Sequence, residues 1–371
     1  MSNNHKKLLC IIGQLGNGGT ERQLYLFLKY LDKSSYLPSV LVAGSSGGVW
    51  EERIKKLGVP VTFMGEAPAW KKLLIFKRKL RVFKADIIYS WSFFTNAFAL
   101  VSGKTPFIGS LRQQYAEEKR NLGRVRRKVS FLPQTIVVNS NGIAGELAEA
   151  GIDNEKIKVV FNVFETEFSN DSNFKKKSTK IRKDFCAKYA IPEDRTIIAG
   201  VGRNSPTKDF PFFVETIKAL KEKGISRIHA VIIGSGGKGV KNKITDLGLE
   251  ECFTLTGDIK DAKMILPAAD IFFLSSRQEG MPNVLLEAID AGVVPLATDV
   301  GGVRDIFKYI PQNLSGKIIL KKRDPEHAAD LIAGLIADNK LQKLILEAAQ
   351  KFLKDVAPEK IIKQYCSIIT K

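Results

Sequence analysis

The sequence predicts an α/β protein of two doubly wound units, each a parallel sheet covered by helices on both faces. Three observations carry that expectation. The 371 residues exceed what one hydrophobic core comfortably organises. Short runs rich in β-branched residues alternate with longer stretches of helical period, the pattern of parallel strands joined by crossover helices. A polar stretch without periodicity, SNDSNFKKKSTK at 169–180, lies near the middle of the chain and reads as a linker.

Strands of the first unit are expected at 8–13, 39–43, 60–64, 86–90, 106–110, 135–138 and 158–161. After the first of these comes QLGNGGTERQLYLFLKYL, in which Thr20 and Gln23 have capping-box spacing. A helix is therefore expected from Thr20, with Gly18 and Gly19 lining its approach. Strands of the second unit are expected at 196–201, 228–233, 252–255, 271–274, 293–297 and 317–320. The resulting division is a first domain over 1–168, a linker over 169–190, a second domain over 191–354 and a closing helical stretch over 355–371. In sheets of this kind ligands bind beyond the carboxyl ends of the strands, so residues just after strands are the ones to read for chemistry.

Composition excludes several classes. Hydrophobic residues at 44% and charged residues at 26% are ordinary for a globular chain, which leaves disorder, collagen and coiled coil without support. No apolar run reaches the ~18 residues of a membrane-spanning helix. The start, MSNNHKKLLCIIGQ, breaks into glycine too early for a signal peptide, so the cytoplasm is the expected compartment. Cys10, Cys186, Cys252 and Cys366 are far apart and read as reduced structural thiols.

The net charge of +19 is the unusual bulk figure and implies an anionic partner. It is uneven. From Glu66 to Lys128 there are fifteen Lys or Arg against four Asp or Glu, a net of +11. Within that segment WKKLLIFKRKLRVFK carries Leu73, Phe76, Leu80 and Phe83 at helical spacing, a stripe expected to pack on the sheet. Lys71, Lys72, Lys77, Arg78, Lys79, Arg81 and Lys84 surround the stripe, and Arg124, Arg126, Arg127 and Lys128 follow in the same domain. At about 1 kcal/mol per basic residue near an anionic leaflet, these predict peripheral binding to the cytoplasmic face of a membrane.

The clearest chemistry lies in the second half. Gly202, Arg203 and Lys208 follow the strand at 196–201. Glycine admits close backbone approach, Arg203 can fork onto two phosphate oxygens, and Lys208 adds a second positive charge. Alone, R-x4-K reads better as a salt-bridged loop. A second constellation, SSRQEGMPNVLLEAI, changes the balance because it follows the buried strand at 271–274. Pro282 suits the first helical position, which puts free amides and the positive end of a helix dipole at Gly280–Asn283, worth ~0.3–2 kcal/mol to a nearby phosphate. Glu279 precedes that helix and Glu287 lies inside it, one carboxylate for a sugar and one for ribose hydroxyls. Another glycine turn, Gly301–Gly302, ends the next strand.

The succession Gly202-Arg203-x4-Lys208, Glu279-Gly280-x-Pro282-Asn283-Val284-Leu285-Leu286-Glu287-Ala288 and Asp299-x-Gly301-Gly302 resembles the retaining glycosyltransferases of family 4, which have the GT-B fold. Gly18-Gly19-Thr20-Glu21 is similar to their N-terminal glycine loop, and VVNSNGIAGELAEAGIDNEKIKVVFN to the end of their acceptor domain, so the likeness covers nearly the whole chain. It implies two Rossmann-like domains facing across a cleft, with the stretch 358–370 crossing back onto the first. Arg203 and Lys208 would hold the donor diphosphate, Glu287 the ribose, and Glu279 with Gly280, Met281, Pro282, Asn283 and Val284 the transferred sugar and the phosphates. Gly18, Gly19 and Glu21 would face the donor.

The family is metal-independent, and the residues agree with that expectation: there is no Asp-x-Asp, and His5, His229 and His327 are scattered. The resemblance implies a nucleotide-sugar donor, UDP-sugar before GDP-mannose, a lipid-linked saccharide acceptor, retention of configuration and no cofactor. One departure concerns the strand end at 90, where many members carry a histidine and this chain has Ser90-Trp91-Ser92-Phe93. Trp91 either packs or stacks on a sugar ring, and Arg112 either meets an acceptor phosphate or forms a structural salt bridge. Two other readings are disfavoured. A Rossmann oxidoreductase or epimerase lacks its complete G-x-G-x-x-G with a following acid, and a nucleic-acid-binding protein lacks a zinc-finger or RNP-like motif.

Overall fold

The computed structural model describes residues 5–45, 47–169, 171–234 and 237–370. The chain forms two compact units, one from Met1–Val163 together with Val356–Lys371 and the other from Phe164–Asp355.

The first unit is a seven-stranded parallel sheet: β1 (Lys6–Ile12), β2 (Tyr36–Val42), β3 (Val61–Phe63), β4 (Ile87–Ser90), β5 (Phe107–Leu111), β6 (Thr135–Val138) and β7 (Ile157–Val159), in the order β3-β2-β1-β4-β5-β6-β7. β2 begins ahead of Pro38, earlier than expected. Pro38 pairs with Leu8 on one side, while β3 reaches only Val40 to Val42 on the other, so its missing N–H breaks no ladder bond. The helix Pro358–Ile369 belongs to this unit. Its Ile361, Tyr365 and Ile369 are buried in one core with Phe27 and Trp91.

The second unit repeats the plan with six strands: β8 (Thr196–Val201), β9 (Ile228–Ile233), β10 (Phe253–Leu255), β11 (Ile271–Leu274), β12 (Val294–Thr298) and β13 (Ile319–Leu320). Their order is β10-β9-β8-β11-β12-β13. All thirteen expected strands form, with ends shifted by a few residues.

The expected linker over 169–190 is a correction. Phe174–Tyr189 is a regular helix within the second unit, and the chain passes between units at Val163–Phe164 and Asp355–Val356. Few side chains carry its helical period, so the sequence reads as aperiodic there. Phe185 and Cys186 are buried, Phe174 meets the Phe168 ring at 5.3 Å, and Arg182 donates to the carbonyls of Ala268 and Arg195. Most of the lysines are exposed, and lysine is a good helix former in water.

Candidate functional site

Strand order reverses at β8 in the second sheet, so β8 and β11 are neighbours whose carboxyl ends flank the topological switch point. Two loops leave those ends. One runs from Gly202 into the helix Phe210–Glu222, the other from Ser275 into the helix Asn283–Asp290. Three bonds tie them. The Arg277 amide donates to the Thr207 carbonyl at 2.7 Å, the Ser275 hydroxyl donates to the Lys208 carbonyl at 2.9 Å, and Lys208 Nζ donates to Glu279 Oε1 at 2.7 Å. Ser276 Oγ donates to the same carboxylate oxygen at 2.7 Å. The Lys208 and Glu279 side chains keep 21% and 14% of their exposure, enough for a ligand from solvent to reach the pair.

The glycines allow backbones to approach where side chains would collide. Gly301 has φ +50, and a Cβ there would lie 2.1 Å from the Glu279 carbonyl oxygen. The Gly302 amide donates to the Gly280 carbonyl at 2.7 Å, so the glycine turn after β12 supports the Glu279–Gly280 backbone from beneath. On the other side a Cβ on Gly234 would meet the Gly202 carbonyl at 2.2 Å.

Asp209 follows Lys208 in a left-handed conformation, φ +47, and is buried. Its carboxylate accepts from Arg277 Nε at 2.8 Å and from Arg323. Arg323 also donates to the carbonyls of Ser276 (2.8 Å) and Ser275 (2.9 Å) and lies over the Phe212 ring at 4.5 Å. Burial presses the Arg323 guanidinium below the usual arginine range, opposed by the nearby Asp209 charge.

The structure brings Gly202, Lys208, Glu279 and Gly280 together as the spacing implied. Arg203, one residue beyond Gly202, is exposed and makes no ion pair or hydrogen bond among the described residues. Met281 and Pro282 are buried, Asn283 and Val284 half-buried, and Glu287 is buried within the helix. Pro282 is the N-cap, and Asn283 takes the first helical position expected for Pro282. Sequence reasoning missed Ser276, Arg323 and Gly234, the glycine that follows β9. The last was visible as a glycine after a strand; Arg323 lies in the basic run Lys321-Lys322-Arg323 and carried no signal.

In the first unit the helix is Gly19–Tyr30, with Gly18 as N-cap and no side-chain cap. The Thr20–Gln23 capping box is corrected because Gln23 is buried and bonded elsewhere: it donates to the Val163 carbonyl at 3.0 Å and accepts from the Val163 amide at 2.7 Å. Glu21 is buried in the first turn, where a Cβ on Gly18 would collide with its carboxylate. Trp91 does not offer a face to a sugar. It is 0% exposed, packed on Phe27 (5.2 Å), Tyr89 (4.8 Å) and Tyr365 (5.9 Å). The Arg112 guanidinium stacks on Trp91 at 4.3 Å and donates to the hydroxyls of Tyr365 (2.9 Å) and Tyr89 (3.3 Å). No carboxylate pairs with it among the described residues, which corrects the structural salt bridge: the apolar ring and the phenols take that place.

An ammonium, a helix start and close-approaching glycine backbones at a switch point can receive a phosphate group, and a carboxylate beside them can accept from hydroxyls. Comparison with known proteins agrees. Residues 181–352 match the model for glycosyl transferases group 1, and residues 17–168 the model for Glycosyltransferase Family 4. A Campylobacter jejuni protein named GalNAc-alpha-(1->4)-GalNAc-alpha-(1->3)-diNAcBac-PP-undecaprenol alpha-1,4-N-acetyl-D-galactosaminyltransferase is 24% identical, over 98% of this chain and 98% of its own. A Rhizobium meliloti protein named lipopolysaccharide core biosynthesis glycosyltransferase LpsE is 24% identical over 75% and 73% of the two chains. HepE of Anabaena, solved in complex with UDP, superposes with a TM-score of 0.83 at 18% identity, covering 98% of this chain and 99% of that one. The chain is thus a glycosyltransferase with the GT-B fold. Within that class it belongs to glycosyltransferase family 4.

Proposed function

We propose that the second unit binds a nucleoside-diphosphate sugar, UDP-linked by preference, and that the enzyme transfers its hexose or N-acetylhexosamine, with retention and without a metal ion, to a lipid-linked saccharide in bacterial polysaccharide or glycolipid synthesis. The observation that carries this reading is the Lys208–Glu279 pair at the β8–β11 switch point, 2.7 Å apart and accessible. Lys208, the exposed Arg203 and the amides at the start of Asn283–Asp290 hold the diphosphate. Glu287 takes the ribose and Glu279 the sugar. Breaking the anomeric bond places new negative charge on the departing nucleoside diphosphate, and fixed donors aimed at that charge lower the barrier. Two cationic side chains supply the charge that a metal supplies elsewhere. Support for the donor base comes from HepE, also solved with UDP-glucose, and support for a lipid-linked acceptor from the undecaprenol named in the Campylobacter relative.

The same reading places the first unit against an anionic membrane surface on the cytoplasmic side. Its helix Ala69–Phe83 buries Phe76 and exposes Trp70 at 59% and Leu74 at 59% among the basic residues. Apolar side chains exposed beside lysines suit the headgroup boundary. No helix of the described residues is long and apolar enough to cross a membrane.

The test is a screen of UDP- and GDP-sugars with purified enzyme and membranes, reading product by mass. Arg203→Ala and Lys208→Ala should each cost about 2–4 kcal/mol of transition-state stabilisation, roughly 30- to 1,000-fold in rate. Near-normal turnover in both variants ends the assignment.

A further inference from the structure

Arg323 stands at the hub of the bonds that set the Lys208–Glu279 pair. It comes from the loop after β13, the edge strand, and reaches past β12 to the ends of β11 and β8. Each acceptor it takes is one step from a member of the pair. The Ser276 carbonyl belongs to the residue whose hydroxyl donates to Glu279 Oε1. The Ser275 carbonyl belongs to the residue whose hydroxyl holds the Lys208 carbonyl. Asp209, its carboxylate partner, is the next residue after Lys208 and is held in a left-handed conformation that is uncommon for a non-glycine residue. Stacking on Phe212 fixes the plane of the guanidinium, and only a planar fork can meet two carbonyls and a carboxylate at once.

We propose that Arg323 is a positioning residue for donor binding: without touching the nucleotide, it sets where the Lys208 ammonium and the Glu279 carboxylate stand. This deepens the donor-site reading above and rests on it. Arg323 faces inward, with its two terminal nitrogens engaged by Asp209, Ser275 and Ser276, so its influence passes through those residues. Lysine cannot replace it, because one ammonium near Asp209 keeps the charge and leaves at least one of the two carbonyls without its donor.

The test uses the full chain and UDP as the probe, titrated calorimetrically well below each variant's melting temperature. Arg323→Met and Arg323→Lys should weaken UDP binding about 5- to 20-fold. Arg323→Lys should recover much of the melting temperature lost by Arg323→Met and little of the affinity, a split that a purely structural role does not produce. The decisive arm is a double-mutant cycle. In a Lys208→Met background, Arg323→Met should change UDP affinity less than about 2-fold, because the positioned group that meets the diphosphate is gone and UDP carries no transferred sugar for Glu279 to hold. Unchanged affinity in both Arg323 variants, or full additivity with Lys208→Met, overturns the proposal. If Lys208→Met by itself leaves UDP binding unaltered, the donor-site reading has failed instead.

Discussion

Asp290 takes four donors onto one carboxylate. The amides of Glu167 (2.7 Å), Phe168 (3.2 Å) and Ser169 (3.0 Å) and the Ser169 hydroxyl (2.6 Å) all point at it, and it is 2% exposed. An acid at the last position of a helix opposes the dipole, so these bonds explain why one is tolerated there. Asp290→Ala strands three amides, and unfolding in denaturant should show a loss of about 2–4 kcal/mol, with Asp290→Asn recovering part. A loss below about 1 kcal/mol would mean that water replaces the carboxylate. Gly301 makes a different demand. An alanine there meets backbone at 2.1 Å, and the atom it meets belongs to Glu279. Gly301→Ala should therefore weaken UDP binding more than 10-fold in a titration of folded protein, beyond the ~1–2 kcal/mol of left-handed strain. Unaltered affinity would separate the glycine turn from the site. The glycines and the two glutamates were legible because their chemistry is local. Asp290 and Arg323 were not, because the partners of Asp290 lie 121 or more residues away and those of Arg323 lie 47, 48 and 114 residues away.

Among the elements, β9 and β10 carry a proton-linked contact. His229 on β9 has Nε2 2.8 Å from the Thr254 hydroxyl on β10. Burial, with the Arg195 charge, pushes the imidazole down from 6.5 to about 4. A depressed pKa means the folded protein holds the neutral ring, so the stability it contributes is complete above pH 6.5 and is lost as pH falls towards 4. Thermal melts should fall across that window, and His229→Gln, which cannot take up the proton, should fall less. Equal slopes for the two proteins would contradict this. Strand existence was readable throughout because apolar runs bounded by polar residues require burial. Helix starts were less so: Gly18 caps the first helix in place of Thr20, since the side chain expected to close the capping box is bonded to Val163. The helix Phe174–Tyr189 shows little helical period in its sequence because its buried stripe is narrow.

For the molecule as a whole, the +19 charge is the property with the longest reach. Protein should co-sediment with vesicles containing anionic lipid at low salt. Salt should release it, and Lys71→Glu with Lys77→Glu and Arg78→Glu should weaken the association by roughly 100-fold or more, at ~1 kcal/mol for each positive charge lost. Equal sedimentation with neutral vesicles would dismiss the electrostatic account. Sequence alone determined that there are two doubly wound units, which strands they contain and which loops form the candidate site, because hydrophobic period and motif spacing are written in neighbouring residues. Tertiary structure alone decided where the units divide, that Trp91 and Arg112 face inward onto Tyr365, and that Arg323 stands behind Lys208 and Glu279. Those facts depend on contacts between residues remote in the chain, and such contacts leave no period or spacing to read.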